Sequence, residues 1–284
     1  MNIHERTRTP IVFCTAVILF TLLLFVIPPK FISPDLGNTV LTISTFLFGM
    51  IAGFFIVVTT TDYNTLKGLT ASETGKLIAL YENVYAYDRG SADRLKILID
   101  KYVRDAFDTE LIDFAHHIQL DFEEIKKLVR ELPAKRELSS LFQQIFGVMD
   151  GLIDIHQNEI VLGTRTVSPF QWFVLDILSI LPIVTIYGLR TGAPFFDIVA
   201  VTFSSVIVLI LLIIQAIDLY VWNEEMFSFN VYEEVLRSIG ELPYYPRESI
   251  EKGRVHPGEG EYRIGTFPSR GGKERTIEVV RNGP

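Results

Sequence analysis

Residue types that carry chemistry are sparse in this sequence, and they fall in two settings. In a charged stretch, Asp113 and His117 stand four apart, with Glu110 and His116 beside them. Side chains at i and i+4 meet on one helical face, so this carboxylate and imidazole are spaced to share a metal ion. Asp154 and His156 would have to approach them through the fold to complete a site. No other ligand pair stands at a recognisable spacing, so neither a metal nor a cofactor is expected. There is no phosphate-cradling glycine loop and no nucleophile elbow. No catalytic residue is assigned, and an enzyme is not expected. Cys14 is the one cysteine, which excludes an intrachain disulfide and a thiolate zinc cluster.

The second setting is apolar. Asp176, Gln215 and Asp218 stand inside or at the ends of long hydrocarbon runs, with Gln215 and Asp218 three apart on one helical face. A carboxylate in lipid is costly unless partnered, so it marks a helix–helix hydrogen bond or a water-filled path. For Asp218, close to the end of its run, a structural bond is expected. For Asp176 both readings stay open.

The run from Val40 to Thr61 has 22 residues and no charge. Gly49 and Gly53 form a small-xxx-small step that lets another backbone approach. Packing within one subunit and an inter-subunit or pore-side contact both fit that step. Thr42 and Thr45 lie toward one mouth of this span, and Thr59 and Thr60 toward the other. Ile51, Phe54, Phe55 and Val58 form a bulky apolar waist between them. Hydroxyl-lined mouths around such a waist suit a pore with a hydrophobic constriction. An ordinary spanning helix also has hydroxyls near its ends and an apolar middle.

The elements that position these residues follow from composition. Hydrophobic residues make up 49% of the 284 and charged residues 21%, and the mean hydropathy is +0.31. A soluble domain carries about 25% charge. The apolar excess is gathered into runs, which points to an integral membrane protein and excludes a disordered chain or a disulfide-stapled scaffold. The runs predict four spans, at about 11–27, 40–61, 169–189 and 197–222. The first, 17 residues, is about 26 Å long as a helix, just enough to cross a hydrocarbon core. Pro28-Pro29 stops it. Ser168-Pro169 reads as a cap and first-turn proline for the third.

Connectors 28–39 and 190–196 are short and hold one basic residue each, whereas 62–167 holds thirteen and the tail from 223 holds nine. The positive-inside rule then places the N-terminus, the central insert and the C-terminus in the cytoplasm. Net charge is −8, with no basic block for nucleic acid. The expected fold is all-α. Segment 1–61 carries one transmembrane hairpin and segment 168–222 a second. Between them lies a helical cytoplasmic domain, 62–167, and a partly mobile tail, 223–284, follows.

Within the insert, Thr70-Ala71-Ser72-Glu73 has capping-box spacing and predicts a helix start, and Ser91 reads as the cap of a second helix. A third runs from about Asp121 to Leu132. Leu138, Leu141, Ile145, Val148, Leu152 and Ile155 alternate steps of three and four, a heptad seam. A bundle core is the expected use of that seam. In the tail, Glu261–Phe267 and Thr276–Val280 have the pattern of two paired strands.

The layout of two spans, a helical insert, two spans and a tail resembles the bestrophin-like domain proteins of bacteria and archaea, relatives of the bestrophin anion channels. The segments that carry the likeness are Gly49-Met50-Ile51-Ala52-Gly53-Phe54-Phe55, the helix Glu73 to Val84, the helix Leu95 to Tyr102 and Ala216-Ile217-Asp218-Leu219-Tyr220. They cover roughly residues 10–240. The resemblance implies a homo-oligomer, pentameric in true bestrophins, in the plasma membrane, with the second span lining a pore for small inorganic ions such as chloride. Those channels follow the last span with a calcium clasp built on Pro-Phe-Gly and a run of acids. Here the stretch reads Trp222-Asn223-Glu224-Glu225-Met226-Phe227, so calcium gating is not implied. The alternative is a non-conducting membrane scaffold or signalling protein whose helical domain binds a partner.

Overall fold

The computed structural model describes residues 3–108, 119–133, 138–163, 167–218, 224–251, 253, 255–258, 260–266 and 275–281. The chain divides into two compact units. One comprises Met1–Tyr63 and Thr166–Trp222, and the other Asn64–Arg165 and Asn223–Pro284.

The first unit holds α1 (Ile3–Val26), the N-terminal half of α2 (Pro34–Tyr87), α6 (Pro169–Leu189) and α7 (Pro194–Asp218). Helices α2, α6 and α7 are long and apolar enough to cross a membrane, and α1 contributes a shorter apolar stretch, Pro10–Val26. In the most apolar window of each, only 22%, 33% and 28% of residues are buried. So much bare hydrocarbon requires lipid or another chain to cover it. Helix α6 starts as expected. The Ser168 hydroxyl accepts the Gln171 N–H at 3.3 Å, and the Gln171 side chain accepts the Ser168 N–H at 2.8 Å. Pro169 occupies the first turn, where its missing N–H costs nothing.

The α1–α2 and α6–α7 connections meet at one end of this unit. Lys30 N–H donates to the Arg190 carbonyl at 3.0 Å, and Ile32 N–H to Gly188 at 3.3 Å. A Cβ on Gly188 would stand 2.4 Å from Ile32, and one on Gly37 2.4 Å from Leu189, so glycine is what lets the two connections touch. Arg190, expected as a loop charge, is only 4% exposed. The cause lies in Pro28-Pro29. The N–H of residue 28 would ordinarily bond the Leu24 carbonyl, and proline has none. Arg190 Nη2 instead donates to Leu24 O at 2.9 Å and Ile27 O at 2.5 Å, while Nη1 lies 3.3 Å from Asp197 Oδ1. A cation at a helix C-terminus also complements the dipole. Nearby, the Tyr187 hydroxyl donates to Phe20 O at 2.6 Å, and Phe20, Tyr187 and Ala200 form a small core that joins α1, α6 and α7.

The second unit holds the C-terminal half of α2, α3 (Arg89–Asp108), α4 (Gln119–Arg130), α5 (Ser139–Gly163), α8 (Glu224–Ser238) and the short α9 (Arg247–Glu251). It also holds β1 (Tyr244–Pro246), β2 (Glu261–Thr266) and β3 (Thr276–Arg281). Two expected caps are corrected. Thr70 to Glu73 start no helix, because α2 runs unbroken for 54 residues. Nothing in 62–72 stops it, since that stretch has no proline and its one glycine, Gly68, is tolerated mid-helix. Asp88 rather than Ser91 caps α3, its carboxylate accepting Ser91 N–H at 2.9 Å.

Leu77, Leu80, Leu95, Ile99, Ile125, Ile145 and Leu152 are fully buried in one core with Tyr102, Val235 and Leu236. Burying such a side chain contributes about 1.5–3 kcal/mol. The seam of α5 packs into this core, with Ile145, Met149 and Leu152 inside and Leu138, Leu141 and Val148 at its edge. The fold is mostly helical, with one departure from all-α. β1 pairs parallel to β2 (Tyr244 opposite Arg263), and β2 antiparallel to β3 (Glu261 opposite Arg281). The described part of the tail is anchored, because Arg263 donates to Asp100 Oδ1 at 2.6 Å and to Leu242 O at 2.7 Å.

Candidate functional site

Helix α2 buries one face against its own chain and leaves the other bare. Ser44, Phe48, Ala52, Phe55 and Thr59 are buried at steps of four, four, three and four. Phe48, Ala52 and Phe55 pack with Leu175 of α6 and with Ile207 and Ile214 of α7. On the opposite side Phe46 is 68% exposed, Met50 55%, Phe54 63% and Val57 64%. These follow the same three- and four-residue steps, which is what 3.6 residues per turn imposes.

The four waist residues therefore divide. Phe55 faces the core and Ile51 packs at its edge. Phe54 is bare, and Val58 is on the boundary at 36%. The mouth threonines divide as well. Thr42 is exposed and Thr59 buried, and each donates to the carbonyl four residues back, Asn38 and Phe55, at 2.8 Å. Thr45 and Thr60 are half-buried, and the Thr45 hydroxyl is buried without a partner among the described residues. Thr42, Gly49, Gly53 and Thr60 are spaced seven, four and seven, so they line one flank of the bare face. A Cβ at Gly49 or Gly53 would meet nothing within 4 Å.

The polar residues of α6 and α7 also separate. Asp218 accepts the Val167 N–H at 2.7 Å, which ties the end of α7 to the start of α6. Asp176 and Gln215 are exposed and line an open groove with Trp172 and Leu211. Seven residues along α6, Asp176 stands about 10 Å from the helix start. Its carboxylate has no partner among the described residues. Asp113 and His117 lie outside the described residues. Asp154 is exposed whereas His156 is buried, so those two do not share a face.

Long apolar helices bare of cover, together with a second, mostly helical unit of ordinary charged composition, point to an integral membrane protein. A family model for the Bestrophin-like domain matches residues 11–219. The chain belongs to that family. No curated protein matches it. Among solved structures it is similar to a bacterial bestrophin homologue from Klebsiella pneumoniae solved by Zn-SAD phasing. The identity is 11%, covering 81% of this chain and 99% of that one, with a TM-score of 0.59. Two point-mutated forms of the Klebsiella pneumoniae homologue match at 10% identity. One covers 80% of this chain and 98% of that one, with a TM-score of 0.58, and the other 81% and 99%, with 0.59. At such identity the likeness establishes the fold.

Proposed function

We propose that the protein is a homo-oligomeric ion channel of the plasma membrane, selective for small anions such as chloride, with α2 lining the pore. The observation that carries this reading is the bare face of α2. Phe46, Met50, Phe54 and Val57 form a bulky apolar stripe, and Thr42, Gly49, Gly53 and Thr60 give it a small, hydroxyl-bearing flank. Copies of α2 arranged around an axis present the stripe to a lumen, where apolar rings gate by dewetting. The glycines let neighbouring copies close up. Phe54 and Val58 then serve as neck residues and Thr42 and Thr60 as mouth residues. Phe55, Ile51 and Thr59 hold the helix against α6 and α7. Asp176 and Gln215, bare at membrane depth, face a neighbouring subunit or a water path.

In this reading α1, α2, α6 and α7 make four spans in two hairpins, supported by three helices long and apolar enough to cross and the shorter apolar stretch of α1. The joined α1–α2 and α6–α7 connections lie outside, and both termini and the second unit lie in the cytoplasm. The family resemblance favours a pentamer. Purified protein in detergent is expected to run as a pentamer by multi-angle light scattering and to pass chloride in a liposome flux assay. Phe54→Ala changes the flux. A monomer or dimer refutes the central pore. A well-formed pentamer without flux under any gradient favours the scaffold reading.

A further inference from the structure

The core of the second unit encloses a polar cluster that no part of the channel reading uses. Glu73 of α2 and His156 and Glu159 of α5 are 0%, 4% and 2% exposed. One donor atom from each lies within 4.8 Å of the others. His156 and Glu159 are three apart, so both side chains leave one face of α5. Their partners are incomplete. Among the described residues, neither ring nitrogen of His156 has a hydrogen-bond partner, nor has Glu159 Oε2, although all three atoms are buried. Buried polar atoms are ordinarily paired, and here unpaired ones belong to two of the three residues that bring a donor atom together. Neither carboxylate has an ion-pair partner among the described residues.

We infer that Glu73, His156 and Glu159 bind a divalent first-row transition-metal ion of the zinc class. One imidazole and two carboxylates suit such an ion, whereas magnesium and calcium take all-oxygen sets. Two carboxylates and a neutral imidazole around a dication leave no net charge in the core. Three protein ligands leave a fourth position for water. Metal–ligand bonds of about 2.0–2.2 Å put donor atoms roughly 3–4 Å apart, so an ion draws these side chains in by about an ångström.

Around the two carboxylates the surroundings match a metal's outer shell, in which hydrogen bonds orient the ligands. Tyr232 donates to Glu73 Oε2 at 2.7 Å, and Tyr102 donates to Oε1. Each oxygen keeps a second lone pair for the ion. Thr70 donates to Glu159 Oε1 at 3.3 Å. The His156 ring stacks on Phe122, centroids 4.2 Å apart, which fixes its plane. Burial lowers the imidazole pKa to about 4, so it is neutral near pH 7 with a lone pair free. Burial also raises both carboxyls above their ordinary values, with the tyrosine and threonine hydroxyls opposing the rise. Two neutral carboxylic acids are therefore the competing way to fill this core.

The test uses full-length protein in detergent, stripped with chelator and dialysed against zinc, with cobalt(II) as a spectroscopic probe. The expected result is one zinc per chain and visible cobalt bands. His156→Gln and Glu159→Gln each weaken binding at least ~10-fold, with the variants checked for fold by size exclusion and circular dichroism. A chain with His4, His116, His117 and His256 replaced by Gln keeps all three ligands and is expected to keep the site, with His156 its only imidazole. In that chain the EPR of bound copper(II) shows imidazole nitrogen, a readout that stands if the ligand variants misfold. Folded wild-type protein that takes up no stoichiometric zinc overturns the assignment and leaves the acids protonated. Loss of binding in the four-histidine variant, or undiminished binding in both ligand variants, overturns it equally.

Discussion

Replacing Arg190 with Met keeps an apolar stem of similar reach and removes the guanidinium. Two carbonyls at the C-terminal end of α1, Leu24 and Ile27, then lose their donor. Each buried carbonyl left unsatisfied costs about 1–3 kcal/mol. The Arg190 side chain is 3% exposed, so solvent screening gives little relief, whereas Asp197 is 28% exposed and rehydrates in part. The expected loss is therefore ~3–5 kcal/mol, most of it from the carbonyls. Asp197→Asn alone removes a longer, half-solvated contact and costs no more than about 1 kcal/mol. Arg190→Lys keeps the charge, loses the fork and falls between. Thermal unfolding in detergent, followed by intrinsic fluorescence, reads the series. At roughly 2–4 °C per kcal/mol for a chain of this order, Arg190→Met lowers Tm by roughly 10 °C. A shift near zero for Arg190→Met would refute the capping account. Asp197→Asn as damaging as Arg190→Met would move the energy to the ion pair instead.

Other perturbations separate the two faces of α2. Gly49→Leu and Gly53→Leu, with open space around each in the single chain, leave helicity intact and break the oligomer, read by light scattering; an unchanged pentamer counts against the glycine contact. Phe55→Ala opens a cavity beside Leu175 and Ile207 and destabilises by about 3–5 kcal/mol, while Phe54→Ala leaves Tm within a few degrees and alters flux. Gly188→Ala drives a methyl into Ile32 and costs ~1–3 kcal/mol, a loss that Ile32→Ala in the same chain reduces. Tyr232→Phe leaves Glu73 one donor short and destabilises by about 1–3 kcal/mol, measured by chemical unfolding with and without chelator.

Features set by local pattern could be read in advance, and those set by tertiary contact could not. The apolar runs, the Ser168-Pro169 cap and the seam of α5 each depend on neighbours within a turn or two. The Thr70–Glu73 box misled because the same residue types serve a helix interior when a partner waits in space. Glu73 carried a warning, since it stands four residues before Leu77 on the face that also carries Leu80. His156 stood out in the sequence beside Asp154, but the fold groups it with Glu73 and Glu159. Asp154, two residues away, points to another face, whereas Glu159, three residues on, shares its own. Arg190 gave no local sign of burial. Its role follows from Pro28-Pro29, more than 160 residues earlier. Which side of α2 is bare depends on α6 and α7, because every face of its middle is apolar.

The joined connections have a mechanical consequence. At that end, glycine contacts, two backbone hydrogen bonds and the Arg190 guanidinium hold α1, α2, α6 and α7 with no room for adjustment. At the other end, α6 and α7 are joined by the hydrogen bond from Val167 to Asp218 and by side-chain packing of Leu175 and Ile214 with Phe55 of α2. Packed side chains slide more readily than fixed backbone hydrogen bonds, so any relative tilting of these helices is expected to pivot at the stitched end, with displacement growing away from it. Twenty residues along, at 1.5 Å per residue, each degree of tilt moves a side chain by about half an ångström. On the bare flank of α2, Thr60 is then displaced more than Thr42.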